Sequence, residues 1–277
     1  MLIKLLSIFF TFASLNKYSI SYIEKIALSF IFEDIEPRVN NPYLILLSRL
    51  VLCNRDIFFQ VFFTFNLFKF INLILNNFYK TLSLLTILLC ILKLQNCISN
   101  IKSISRVQRI NLNRKLFHFV CFCVFYNPSD FLIELSEYAF FGFVLTSKSK
   151  LFRMFFRNFL SAKDCNNVLF SHVYLLMSCL FPYYYLELEN YRSTLMAVCI
   201  LDSMASIVGL YFKNTSKSFL GSISGVLSAV IVNLYCYKKT NFFYFLFVGL
   251  IEYIDLCNDN LSIPLFSICY YKIKKVI

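Results

Sequence analysis

Residues 201–225, LDSMASIVGLYFKNTSKSFLGSISG, set a carboxylate inside an apolar run, break the run with a short polar joint, and open a second apolar run on small residues. This alternation reads as two membrane helices joined by a loop, because a lipid-exposed backbone must satisfy its own hydrogen bonds. Inserting a carboxylate at depth costs at least ~2.5 kcal/mol, so Asp202 needs a partner or a metal ion. At helical spacing Asp202, Ala205, Ser206 and Gly209 share one narrow face. Small residues there let another backbone or a ligand approach closely. Beyond the joint, Lys217 and Ser218 precede Gly221, Ser222 and Gly225. A helix start with exposed N–H groups and a nearby lysine suits a phosphate. The same glycines also fit a GxxxG-type helix contact.

The rest of the chain follows the same pattern. Its 277 residues are 59% hydrophobic and 15% charged, with a mean hydropathy of +0.68. That composition excludes an ordinary soluble domain. We expect an all-α, polytopic transmembrane helical bundle of about eight to eleven spans, some of them short or broken. The apolar runs lie near 2–15, 18–32, 43–53, 57–79, 81–98, 116–126, 131–146, 168–186, 194–212, 219–237 and 241–257, with an apolar tail at 261–271. The formal charge of +12 suits cytosolic loops against anionic lipid, or a polyphosphate substrate. No basic soluble stretch is long enough for nucleic acid, so none is expected as a partner. The eleven cysteines lie mostly within apolar runs and form no CxxC, which reads as small buried or lipid-facing residues.

Basic joints orient the bundle. Lys102, Arg106, Arg109, Arg114 and Lys115 form the first, Lys148 to Lys163 the second, and Lys213 with Lys217 the third. Pairs of spans separate them, which places all three on the cytosolic side. Glu187 and Glu189 lie opposite, whereas Lys238 and Lys239 run against the pattern. The second joint, SKSKLFRMFFRNFLSAKD, suits an amphipathic helix on the cytosolic face.

Three further stretches carry chemistry. In LNRKLFHFV (112–120), Arg114, Lys115 and His118 can share a helix face. They either anchor that helix at the interface or hold a substrate. In AKDCNNVLFSHVYLL, His172 stands inside an apolar run, as a site residue or as a histidine bonded to a neighbouring helix. In FVGLIEYIDLCNDNLSIPLFS, Glu252, Asp255 and Asp259 fit one helical face, and Asn260 follows. Such acids either bind a divalent cation or belong to a solvated loop, and Pro264 marks a kink beyond them. Basic groups, carboxylates and a lipid setting together suit phosphoryl transfer onto a lipid alcohol. Neither a Walker motif nor a protein-kinase motif set occurs.

The ordered series NRKLFHF, FLSAKDCNNVLFSHVYLL, DSMASIVG, KSFLGS and IDLCNDNLSIPL resembles the CTP-dependent polyprenol and lipid kinases. These include dolichol, phytol and diacylglycerol kinases, and residues 159–176 are most similar to dolichol kinase. The resemblance covers roughly residues 111–271, giving a kinase-like membrane domain at 111–277 behind an N-terminal membrane region, 1–110, of unassigned role. It implies transfer of the γ-phosphoryl group of CTP to dolichol, with Mg²⁺, at the cytosolic face of the endoplasmic reticulum membrane. The dolichyl phosphate formed would serve glycosylation. On this reading Lys217, Ser218, Gly221 and Ser222 hold the phosphates, and Asp202 and Asp259 hold the metal. Arg114 and Lys115 neutralise charge, while His118 or His172 orients phosphate or substrate. The chain departs from the family at Leu201, where a glycine is common, at Leu220, where dolichol kinases carry a glutamate, and at FGFVLTSKSK, where an acid is usual. Diacylglycerol kinase is the alternative within the class. A transporter that uses Asp202 and the histidines as an ion path is the alternative outside it.

Overall fold

A computed structural model describes residues 70–101, 104–146, 170–212, 217–238, 241–254 and 257–276, with residues 22, 25, 26 and 29 nearer the N-terminus. Every long element among them is a helix. In chain order they are α1 (Phe78–Ser99), α2 (Arg106–Phe125), α3 (Asp130–Thr146), α4 (Phe170–Tyr185), α5 (Leu188–Met196), α6 (Asp202–Tyr211), α7 (Phe219–Tyr237), α8 (Phe242–Ile254) and α9 (Asp259–Val276). A π-helical turn, Ala197–Leu201, joins α5 to α6 without a break. Among the described residues, three stretches are long and apolar enough to cross a membrane: Phe78–Ile98, Leu188–Tyr211 and Phe219–Tyr237. The chain is therefore an all-α membrane protein. The apolar runs at 2–15 and 43–53, the basic joint at 147–164, and most of 18–32 and 57–79 lie outside the described residues.

Two compact units divide the chain, residues 1–83 with 129–176 and residues 84–128 with 177–277. The second unit carries all the candidate site residues but His172, and its centre is the π turn. Val198, Cys199 and Leu201 are fully buried there, and α2, α5, α6, α7, α8 and α9 all pack against this turn. A π turn holds one residue more than an α turn, so the following helix presents a face rotated by about 100°. Asp202 is the first residue after it. The outer faces of α7 and α8 stay apolar and uncovered, with Leu227, Ile231, Phe243 and Phe247 about half exposed or more. Such faces suit lipid contact.

Helix α7 crosses α6 at very close range. A Cβ added to Gly225 would stand 2.6 Å from the Leu201 carbonyl oxygen, and one added to Gly221 would stand 2.6 Å from that of Ala205. Only glycine lets the backbones meet at this separation. Of the two readings open for Gly221 and Gly225, the helix contact is present.

Several boundaries differ from expectation. The basic joint at 102–115 is mostly helix, because Ser105 caps α2 through a reciprocal capping box with Gln108. Helix α5 begins at Leu188, so most of YLELENYR is helical rather than a joint. Glu252 and Asp259 do not share a helix, since α8 ends at Ile254 and α9 starts at Asp259. Pro264 does not break α9; it sits in the second turn, where it removes one backbone donor.

Candidate functional site

The site grows from one buried ion pair. Lys115 Nζ lies 2.6 Å from Asp202 Oδ2, and the two side chains are only 7% and 6% exposed. This answers the demand that Asp202 made in the sequence: its partner is a lysine from α2. It also removes Lys115 from the lipid-facing joint, where it had served as a marker of orientation. The pair belongs to a ladder of contacts between α2 and α6. Gln108 Nε2 donates to the Leu210 carbonyl at 3.2 Å, and Ser206 Oγ donates to Asn111 Oδ1 at 3.0 Å. The two helices thus run antiparallel, with residues 108, 111 and 115 facing 210, 206 and 202.

His118 continues the same face of α2. Its Nδ1 donates to the Arg114 carbonyl, 3.1 Å away. Its Nε2 lies 3.3 Å from Asn260 Oδ1 and 3.6 Å from Asp202 Oδ2. An amide can present either oxygen or nitrogen, so Asn260 serves the ring in both protonation states. Asn260 is itself buried.

Beside Asn260, Asp259 opens the second half of the cluster. Lys217 Nζ lies 2.6 Å from Asp259 Oδ2 and 2.7 Å from Glu252 Oε1. Ser222 Oγ donates to Glu252 Oε2 in a short bond. Burial, reinforced by the Asp202 carboxylate, pushes the Asp259 carboxyl up to about 7 against the pull of Lys217. Burial opposes the charge on Lys217, yet Asp259 and Glu252 together hold its ammonium above the ordinary lysine range. Asp259 Oδ1 is buried without a hydrogen-bond partner among the described residues. An orphaned carboxylate oxygen is costly, so it is a place for a donor or a cation.

The expected residues thus divide. Lys115, His118, Asp202, Lys217, Ser222 and Asp259 come together through direct contacts. Arg114 is half-buried and gives its carbonyl to His118. Ser218 caps α7 by accepting from the Gly221 N–H at 3.1 Å, and the Ser222 N–H bonds the Ser218 carbonyl at 3.0 Å. Those two N–H groups are therefore engaged within the helix and not presented to a phosphate. His172 lies in α4 with its side chain outside the described residues, and Lys213 lies outside the described residues altogether. Glu252 was underweighted by sequence reasoning, although a carboxylate in the run GLIEYI carries the same signal as Asp202.

With Asp259 ionised and His118 neutral, two ammonium groups and three carboxylates leave the cluster with one formal negative charge. A bare polyphosphate gains little from such a site, whereas a phosphate accompanied by a cation does. The described residues contain no group of three or more His, Cys, Asp or Glu side chains arranged to hold a metal. Mg²⁺ commonly needs only one or two carboxylates and takes its other ligands from water and substrate phosphates. The orphaned Asp259 Oδ1, with Asp202 close enough to perturb it, fits that requirement.

Comparison of this chain with protein-family models, with characterised proteins and with solved structures finds no match.

Proposed function

We propose that this protein is a CTP-dependent dolichol kinase of the endoplasmic reticulum membrane, with its site open to the cytosol. The observation that carries the reading is the convergence of four separate sequence stretches on one cluster. Lys115 and His118, Asp202, Lys217 with Ser222, and Glu252 with Asp259 and Asn260 are far apart in the chain and meet inside a membrane helical bundle. Phosphoryl transfer asks for positioning and charge neutralisation more than for covalent participation. Lys217 and Lys115 supply fixed positive charge for the phosphates. Arg114 stands one residue before Lys115 at the cluster's edge. His118, held by the Arg114 carbonyl and Asn260, can orient the transferred group or the alcohol. Mg²⁺, when bound with the nucleotide by Asp202 and Asp259, would neutralise charge that develops between the phosphates. In the alternative assignment only one of these carboxylates holds the cation and the other accepts the hydroxyl proton.

The defining measurement is CTP- and Mg²⁺-dependent phosphorylation of dolichol by the purified chain in detergent. Dolichol, diacylglycerol and phytol offered together decide the acceptor, and preference for diacylglycerol would assign the alternative lipid kinase. No phosphorylated lipid, with solute flux in liposomes, would assign the transporter instead. Lys217→Ala is expected to raise the KM for CTP and lower kcat/KM by about 10²-fold. An unchanged KM would separate Lys217 from nucleotide binding. Mg²⁺ with CTP is expected to raise the melting temperature of the wild type through binding to the native state. Asp259→Asn should lose most of that rise, with a smaller drop of its melting temperature in metal-free buffer than Asp202→Asn shows, because Lys217 keeps Glu252.

A further inference from the structure

A cleft of about 660 Å³ lies along the same α2–α6 ladder, outward from the charged cluster. It is lined by Ile104, Gln108, Asn111, Ile207, Leu210 and Tyr211, among others. Its volume falls in the range of small-molecule sites. Among the described residues its lining is apolar apart from two side-chain amides, and its walls are half-buried, with Tyr211 74% exposed. Asn111 precedes Lys115 by one helical turn, and Gln108 precedes it by two. An axial distance of ~10 Å therefore separates Gln108 from the cluster. The cleft sits towards the end of α6 that leads into the joint carrying Lys217, not along the lipid-facing sides of α7 and α8.

The amides are already partly used, and this sets what they can still recognise. Gln108 Oε1 accepts from the Ser105 N–H, and Gln108 Nε2 spends one hydrogen on the Leu210 carbonyl. Asn111 Oδ1 accepts from Ser206. Each amide nitrogen carries two hydrogens, so the remaining capacity lies in donors, two on Asn111 and one on Gln108. A planar ring with two adjacent acceptors matches it. Cytosine offers N3 and O2 in that arrangement, whereas uracil carries a hydrogen on N3. An exposed tyrosine ring at the rim supplies a stacking surface for such a base.

We propose that this cleft is the base and ribose subsite of a nucleoside triphosphate. Asn111 and Gln108 donate to the acceptor edge of the base, and the phosphates extend along α2 to Lys115 and Lys217. The inference rests on the kinase reading above and adds the residues that choose the nucleotide.

The test uses the full chain in detergent and measures affinity for CTP, UTP, ATP and inorganic tripolyphosphate, alongside CTP-dependent lipid phosphorylation. Wild type is expected to prefer CTP. Asn111→Leu and Gln108→Leu should each weaken CTP by about tenfold, the size of one or two lost hydrogen bonds. Both should leave tripolyphosphate, which has no base, unchanged. Ile207→Trp narrows the cleft without touching either amide and should give the same pattern, with retained tripolyphosphate binding reporting a folded site. A wild type that phosphorylates lipid from CTP while all three variants keep full CTP affinity would overturn the subsite and leave the kinase reading standing. Variants that keep CTP affinity but raise the KM for the lipid would overturn it too, by placing the acceptor chain in the cleft. A wild type that binds none of the three nucleotides and transfers no phosphate would remove both readings together.

Discussion

Asp202→Asn is expected to abolish phosphoryl transfer, by about 10³-fold in kcat, and to lower the melting temperature in detergent by about 10 °C. The two effects have different causes. The first comes from losing a fixed carboxylate at the charged centre. The second comes from Lys115, which stays buried at 2.6 Å from an atom that no longer carries charge. Breaking one side of a buried pair costs about 3 kcal/mol or more, because the surviving ion has neither water nor partner. A double variant separates the effects. Lys115→Met with Asp202→Leu replaces the pair by apolar side chains of similar volume, and stability should return to near the wild-type value. Activity should stay lost. Restored activity in the double variant, or full activity in Asp202→Asn, would show that this pair serves only the fold.

Gly225→Val should be strongly damaging although it touches no charged group. Its Cβ would stand 2.6 Å from the Leu201 carbonyl oxygen and 3.1 Å from Ala205 Cβ. Backbone cannot yield as a flexible side chain can, so α7 must move away from α6 and the π turn. Overpacking of this kind costs about 3 kcal/mol. It also displaces Leu201, the residue directly before Asp202, so activity should fall beyond what the loss of folded protein explains. Gly209→Ala is the control. Among the described residues its Cβ meets only the Ser218 hydroxyl, at 3.1 Å, a side-chain contact that needs to yield only a few tenths of an ångström and can do so while Ser218 keeps the α7 cap. Its melting temperature should stay within about 2 °C of wild type. Equal melting temperatures for Gly225→Val and Gly209→Ala would disprove the close crossing.

Much of this arrangement was legible in the sequence, residue by residue. Asp202 declared itself because a carboxylate in an apolar run must be satisfied. Helix α7 was bounded correctly at 219–237, because apolar length and a serine–glycine start mark both its ends. Helix α2 was legible only in part: Arg114, Lys115 and His118 read as one helix face, but 102–113 read as a joint; the Ser105 cap starts the helix there, and Gln108, Asn111 and Lys115 turn one face to α6. Gln108 and Asn111 gave no signal, because amides at helical spacing are common and acquire meaning only opposite Leu210 and Ser206.

By itself, the sequence determined that this chain is helical, that it belongs in a membrane, and that its few intramembrane charges need partners. These follow from local composition and from the cost of desolvating ions, both of which can be read along the chain. Which charge meets which was decided only by the tertiary structure. Lys217 could have faced a phosphate or an acid, and Lys115 could have faced lipid or Asp202. The choice depends on the α6–α7 crossing that Gly221 and Gly225 permit and on the face turned by the π turn at 197–201. Both are relations between helices, and separation along the chain does not encode them.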